Sequence, residues 1–155
     1  MPSFKSIARD IAYENGTRHC PCCGIQLTWK AQPRTVQKNL ATVDHIIPKS
    51  MGGSNSVKNM FVMCRDCNEK RGDSCFVEFV TAHGISKSYV ETLYKEAHKE
   101  TLKVMLAAQF TQNDPPHVIK KINRKRRGNI RKIIRNYTEY FGDYLPEFEL
   151  LEKIL

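Results

Sequence analysis

Apolar residues at helical spacing open the chain. Phe4, Ile7, Ala8, Ile11 and Ala12 predict a short helix over Ser3–Asn15 with its apolar stripe in the core. Asn15-Gly16 is a stop signal, because glycine can take the left-handed conformation at a helix cap. A short strand is expected at Leu27–Trp29, and a polar stretch with Pro33, Ala31–Asn39, reads as a loop. The β-branched run Leu40–Ile47 predicts a strand. Ser54–Met63 continues the following turn and begins a second strand, and Arg65–Arg71 is expected to be a helix.

Helical periods dominate the rest. Asp73–Gly84 predicts a short helix with Phe76, Val77, Phe79 and Val80 inward. Ser86 is a good N-cap for a longer helix to about Phe110, with Val90, Leu93, Ala97, Val104 and Ala108 as its apolar stripe. Asp114-Pro115-Pro116 ends it. In His117–Phe141 an apolar face of Val118, Ile122, Ile130, Ile133, Ile134, Tyr137 and Phe141 opposes a basic one, with Gly128 as a candidate kink. A last short amphipathic helix is expected near Pro146–Leu155. The pattern is α+β, with a mainly helical C-terminal region. We divide it into residues 1–84, holding the motifs below, and the helical residues 85–155.

Charge sharpens this division. The chain of 155 residues carries a net charge of +9. The window Pro115–Thr138 holds nine basic residues and no acidic one, and the remaining sixteen Lys/Arg face sixteen Asp/Glu. The whole excess therefore sits on Lys120, Lys121, Arg124, Lys125, Arg126, Arg127, Arg131, Lys132 and Arg135. A localised basic segment suits an acidic polymer, most often nucleic acid, and is otherwise a solvated helix face. No run approaches the roughly 18 apolar residues of a membrane span, and the N-terminal residues lack the apolar core of a signal peptide. A reducing cytoplasmic setting follows as an expectation. In it, six cysteines read as metal ligands before disulfides.

Two constellations lie between residues 20 and 73. Cys20, Cys23, Cys64 and Cys67 form two C-x-x-C pairs, a full tetrahedral set for structural Zn2+. Cys22 can compete with Cys20 or Cys23, and Cys75, with no partner in the pattern, reads as a buried thiol. Gly24 permits the reversal that a metal knuckle needs. The second constellation is Asp44, His45, Asn59 and Asn68. Asp44 and Asn68 offer the oxygen ligands that hard cations such as Mg2+ take. His45 can accept a proton from water near neutral pH. Asn59 can hold either the backbone or the imidazole. Taken singly, each has a bland role as a turn residue, a cap or a satisfied core histidine. Strand alternation would also put Asp44 and His45 on opposite faces, so a shared site requires the strand to end or bulge there.

The run from Asp44 to Met60, D-H-I-I-P-K-S-M-G-G-S-N-S-V-K-N-M, followed by C-x-x-C-N-E-K-R-G-D, resembles the HNH endonuclease family. The likeness is to its branch with a four-cysteine zinc site and asparagine as the last motif residue. It covers residues 20–73. It implies a ββα-metal nuclease core, with His45 as general base, Asn59 positioning it, and Asp44 and Asn68 holding catalytic Mg2+ or Mn2+. It implies DNA as partner and phosphodiester hydrolysis to 5′-phosphate and 3′-hydroxyl ends. Lys70 and Arg71 are candidate phosphate contacts or a solvated helix end. The competing reading is a zinc-stabilised nucleic-acid-binding module without catalysis.

Overall fold

Two antiparallel strands carry the centre of the protein. The computed structural model describes residues 1–107, 124–142 and 148–149. Strand β1 (Ala41–His45) pairs with β2 (Met60–Cys64), Ala41 opposite Cys64 and His45 opposite Met60. Helices α1 (Phe4–Glu14) and α2 (Arg65–Arg71) pack on the sheet, and α3 (Phe76–Ala82) and α5 (Arg124–Phe141) pack on α4 (Lys87–Ala107). This is the expected α+β architecture with a helical C-terminal region. Leu27–Trp29 is reduced to an isolated bridge, Thr28 with Leu40, because Thr28 exchanges hydrogen bonds only at that point.

Sequence periodicity located the helices more accurately than it located their buried faces. The Ser3 hydroxyl caps α1 by accepting from the Ser6 amide at 3.1 Å. Only Ala8 of its stripe is fully buried, while Phe4 and Ile11 are exposed. A two-stranded sheet is too narrow to cover the whole stripe. In α4 the expected Val104 is exposed, and the buried line is Val90, Tyr94, Ala97, His98, Thr101, Leu102 and Met105. Phe76, Val77 and Val80 of α3 are buried as expected, with Phe79 half-buried.

One continuous cluster joins the central cysteines to the C-terminal helices. It runs from Cys20, Cys64 and Cys67 through Phe76 and Val80 to Ile130, Ile133, Tyr137 and Phe148. Helix α5 packs on α4 through the expected apolar face, and its described turns continue through Gly128. Tyr94 and His98 of α4 meet edge-to-face, and Tyr137 stacks at a tilt on both His98 and Phe141. Such ring pairs add about 0.5–1.5 kcal/mol each beyond the area they bury. The expected Val118, Ile122 and most of the 146–155 helix lie outside the described residues. Among those described, no helix is long and apolar enough to cross a membrane.

His98 is 1% exposed and its Nδ1 lies 2.9 Å from the Tyr94 carbonyl. Burial pushes its pKa down to about 4. The unfolded chain protonates this ring below its ordinary value near 6.5, whereas the folded chain resists. His98 therefore costs no stability above pH 6.5 and destabilises the fold progressively as pH falls toward 4, by at most about 1.4 kcal/mol per pH unit. Melting curves between pH 7 and 5 should show a shallower acid decline in His98→Gln than in the parent. Equal slopes would contradict this assignment.

Candidate active site and metal centre

Four sulfurs converge where the two C-x-x-C pairs meet. The Sγ atoms of Cys20, Cys23, Cys64 and Cys67 all lie within 4.8 Å of one another. A tetrahedral zinc with bonds of about 2.3 Å requires sulfurs about 3.8 Å apart. Cys23 and Cys64 are separated by 3.7 Å. Backbone amides already point at this cluster: Cys64 N–H donates to Cys20 Sγ and Cys67 N–H to Cys64 Sγ, both at 3.4 Å. Such donors stabilise thiolate charge, so the set fits structural zinc. The first knuckle turns through Gly24, at φ 75°, whose amide bonds the Cys20 carbonyl. Cys22 is buried but outside the converging set. Cys75, expected as a buried thiol, is exposed just before α3.

Strand β1 ends at His45, which meets the requirement set by alternation. The chain bends there, so Asp44 and His45 line one depression of about 440 Å³ together with Lys5, Lys49 and Asp73. Burial holds the His45 pKa below its ordinary value, and the Lys5 and Lys49 charges act in the same direction. A hydrogen bond with Asn55 and the Asp44 charge oppose them. The neutral imidazole is thereby favoured, and the buried Nε2 has no hydrogen-bond partner among the described residues.

Asn59 takes the backbone role of the two foreseen for it. Fully buried, it accepts from Ile47 N–H at 2.8 Å and donates to the carbonyls of Ile47 and Ser54. It therefore clamps the loop that follows His45. Gly53 lets this loop close: a Cβ there would collide with the Ile47 carbonyl oxygen.

Asn68 stands beside the Asp44–His45 depression. It lines an adjacent hollow of about 540 Å³ with Thr42, Arg65 and α1. Its Nδ2 donates to Thr42 Oγ1 at 3.0 Å, which leaves Oδ1 as the amide's oxygen donor. Asp44 is drawn to Arg71, one turn along α2 from Asn68. The Arg71 Nη1 atom lies 2.5 Å from Asp44 Oδ2 and 2.8 Å from the His45 carbonyl. Its other donors reach the Ile46 and Ser74 carbonyls. Asp44 Oδ1 and Asn68 Oδ1 remain as hard oxygen donors, a set suited to a divalent cation such as magnesium.

This placement corrects the reading of Arg71. A phosphate contact or solvated helix end must be accessible, yet Arg71 is 3% exposed and its guanidinium is bonded within the chain. Thr42 and Arg71 were both missed as orienting residues. Thr42 carried a legible signal, since it sits two residues before Asp44 and shares its strand face. Lys70 is exposed and paired with Asp66 at 2.7 Å. Of the expected basic segment, Arg124, Arg131, Lys132 and Arg135 are exposed on α5, and Arg127 is half-buried. Lys120 and Lys121 lie outside the described residues, as do the side chains of Lys125 and Arg126.

If the four thiolates close around zinc, the metal joins segments distant in the sequence, and its binding energy is folding energy. Structural zinc in small domains is worth roughly 10–16 kcal/mol apparent. Cys64→Ser should lose bound zinc and unfold the 20–73 centre, read by metal analysis and thermal melting. Folded protein purified without zinc would refute the site.

A family model described as HNH endonuclease matches residues 20–81. The matched segment contains both cysteine pairs, Asp44, His45, Asn59 and Asn68, whereas α1, α4 and α5 lie outside it. No curated protein and no solved structure matches the chain. Over residues 20–81 the chain thus carries the HNH endonuclease signature that its motif resembles, built beside a four-cysteine cluster positioned to bind metal.

Proposed function

We propose that the protein is a metal-dependent DNA endonuclease. The observation that carries this reading is the shared depression of Asp44 and His45 at the end of β1, with the imidazole biased toward its neutral form. His45 acts as general base. It takes a proton from a water whose oxygen attacks phosphorus, and the bond from phosphorus to the 3′ oxygen breaks. The departing oxygen takes a proton from solvent, leaving 5′-phosphate and 3′-hydroxyl ends. Asp44 and Asn68 hold a divalent cation, Mg2+ or Mn2+, which when bound stabilises negative charge developing on the phosphate and the leaving oxygen. Arg71 fixes the Asp44 carboxylate, Thr42 turns the Asn68 amide, and Asn59 holds the loop that carries the base. Zinc at the four cysteines is structural.

The basic segment from Lys120 to Arg135 is the DNA-docking element in this reading. Outside it the chain is electrically balanced, so long-range attraction to a phosphate backbone has this one source. On α5 the buried Ile130, Ile133, Ile134 and Tyr137 leave Arg124, Arg131, Lys132 and Arg135 exposed. Lys70 is a further candidate contact. We assign residues 1–84 to the nuclease core and 85–155 to the helical docking region, and expect the protein in the cytoplasm.

Incubating supercoiled plasmid with the protein, with and without magnesium, tests the chemistry. His45→Ala should lose about 10²–10⁴ in cleavage rate while keeping zinc, fold and DNA affinity. Cutting at the parent rate by that variant would refute the base assignment. For docking, each phosphate contact steepens the log–log salt dependence of affinity by about 0.9. Neutralising the whole segment should flatten that slope by roughly 3–5 units if half its cations touch phosphates. Changing Arg124, Lys125, Arg126 and Arg127 together to Gln is the direct experiment. An unchanged slope with unchanged cleavage would make the segment a solvated face.

A further inference from the structure

Helix α1 lies outside the family match, yet Lys5 borders both hollows of the candidate active site. It lines the depression of Asp44 and His45 and also the adjacent hollow of Asn68 and Thr42. Lys49 lines the first and Arg65 the second. Lys5 and Lys49 are exposed and Arg65 is half-buried. None of the three has an ion pair or side-chain hydrogen bond among the described residues. The other cations lining these hollows are already engaged: Arg9 bonds the Trp29 carbonyl and Arg71 holds Asp44. Three uncommitted positive side chains therefore straddle the two proposed metal ligands, on three separate parts of the fold.

A lysine on an exposed surface is ordinarily just solvated. The arrangement here differs in its position relative to the chemistry. A nuclease must hold the phosphates flanking the scissile one, because misplacing the reacting phosphorus by about 1 Å can cost about 10²-fold in rate. Among the described residues the cations of α5 line neither hollow, so they can attract a duplex without fixing its register over His45. Phosphate contacts fix register and orientation without reading sequence.

We propose that Lys5, Lys49 and Arg65 hold the DNA backbone phosphates flanking the scissile phosphodiester, so that α1 forms one wall of the substrate cleft. This rests on the nuclease reading above. Lys5 is the central member, since it alone of the three reaches both hollows.

Binding is best measured in the His45→Ala background, where substrate stays intact. A short labelled DNA duplex is titrated by fluorescence anisotropy across a salt series. Combining Lys5→Gln, Lys49→Gln and Arg65→Gln should flatten the log–log salt slope by about 2–3 units. In protein that retains His45, Lys5→Gln should raise KM more than it lowers kcat, and Lys5→Arg should restore most of the loss. Zinc content and melting temperature serve as fold controls. If the triple variant folds poorly, Lys5→Gln alone carries the test, with an expected slope change of about 0.9. Unchanged slope and KM, in a protein whose parent binds and cuts DNA, would overturn the cleft assignment and leave the nuclease reading standing. A parent that neither binds nor cuts DNA would remove both.

Discussion

The structure depends most on one residue that belongs to three elements. Cys64 ends β2, caps the N-terminus of α2 and contributes a sulfur to the four-cysteine cluster. Its backbone pairs with Ala41 across the sheet, and its sulfur receives the Cys67 amide. Where β2 stops and how α2 leaves it are thus decided at a single Cα. That exit angle lays α2 across β1. Residues three apart on the helix then meet residues two apart on the strand: Asn68 meets Thr42, and Arg71 meets Asp44. The cysteine cluster and the candidate catalytic groups are separate sites mechanically joined by one short helix.

The centre was readable from sequence because ligand chemistry leaves residue types at fixed spacings. Two C-x-x-C pairs have few other uses in a reducing setting, and an Asp-His pair before proline forces attention on where the strand ends. Helix positions were readable from their period. Burial was less so, because a period specifies a face and not what covers it. Val104 fits the apolar stripe of α4, yet the aromatic partners come from α5 and draw Tyr94 and His98 inward instead, while Thr101 Oγ1 accepts from the Ser54 amide. Arg71 misled for a related reason. A basic residue in the last turn of a helix is usually solvated, and only the path of β1 turns this one into the interior.

The loop between the strands is organised by polar groups rather than by an apolar core. Asn59 satisfies both backbone groups of Ile47 and the carbonyl of Ser54. Leaving such groups buried and unpaired would cost about 1–3 kcal/mol each. The same side chain therefore contributes to stability and to the orientation of the segment after His45. A substitution there would alter both at once.

Arg71 gives the Asp44 carboxylate a permanent counter-charge. A largely buried carboxylate without a partner would tend to drag the end of β1 toward water. With the guanidinium beside it, the anion is compensated from the moment the chain closes. If a divalent ion joins Asp44, it arrives at a carboxylate already aimed by Arg71. Assembly of the protein can then run ahead of its encounter with that ion, and the ion can be gained or lost repeatedly without the strand end having to refold.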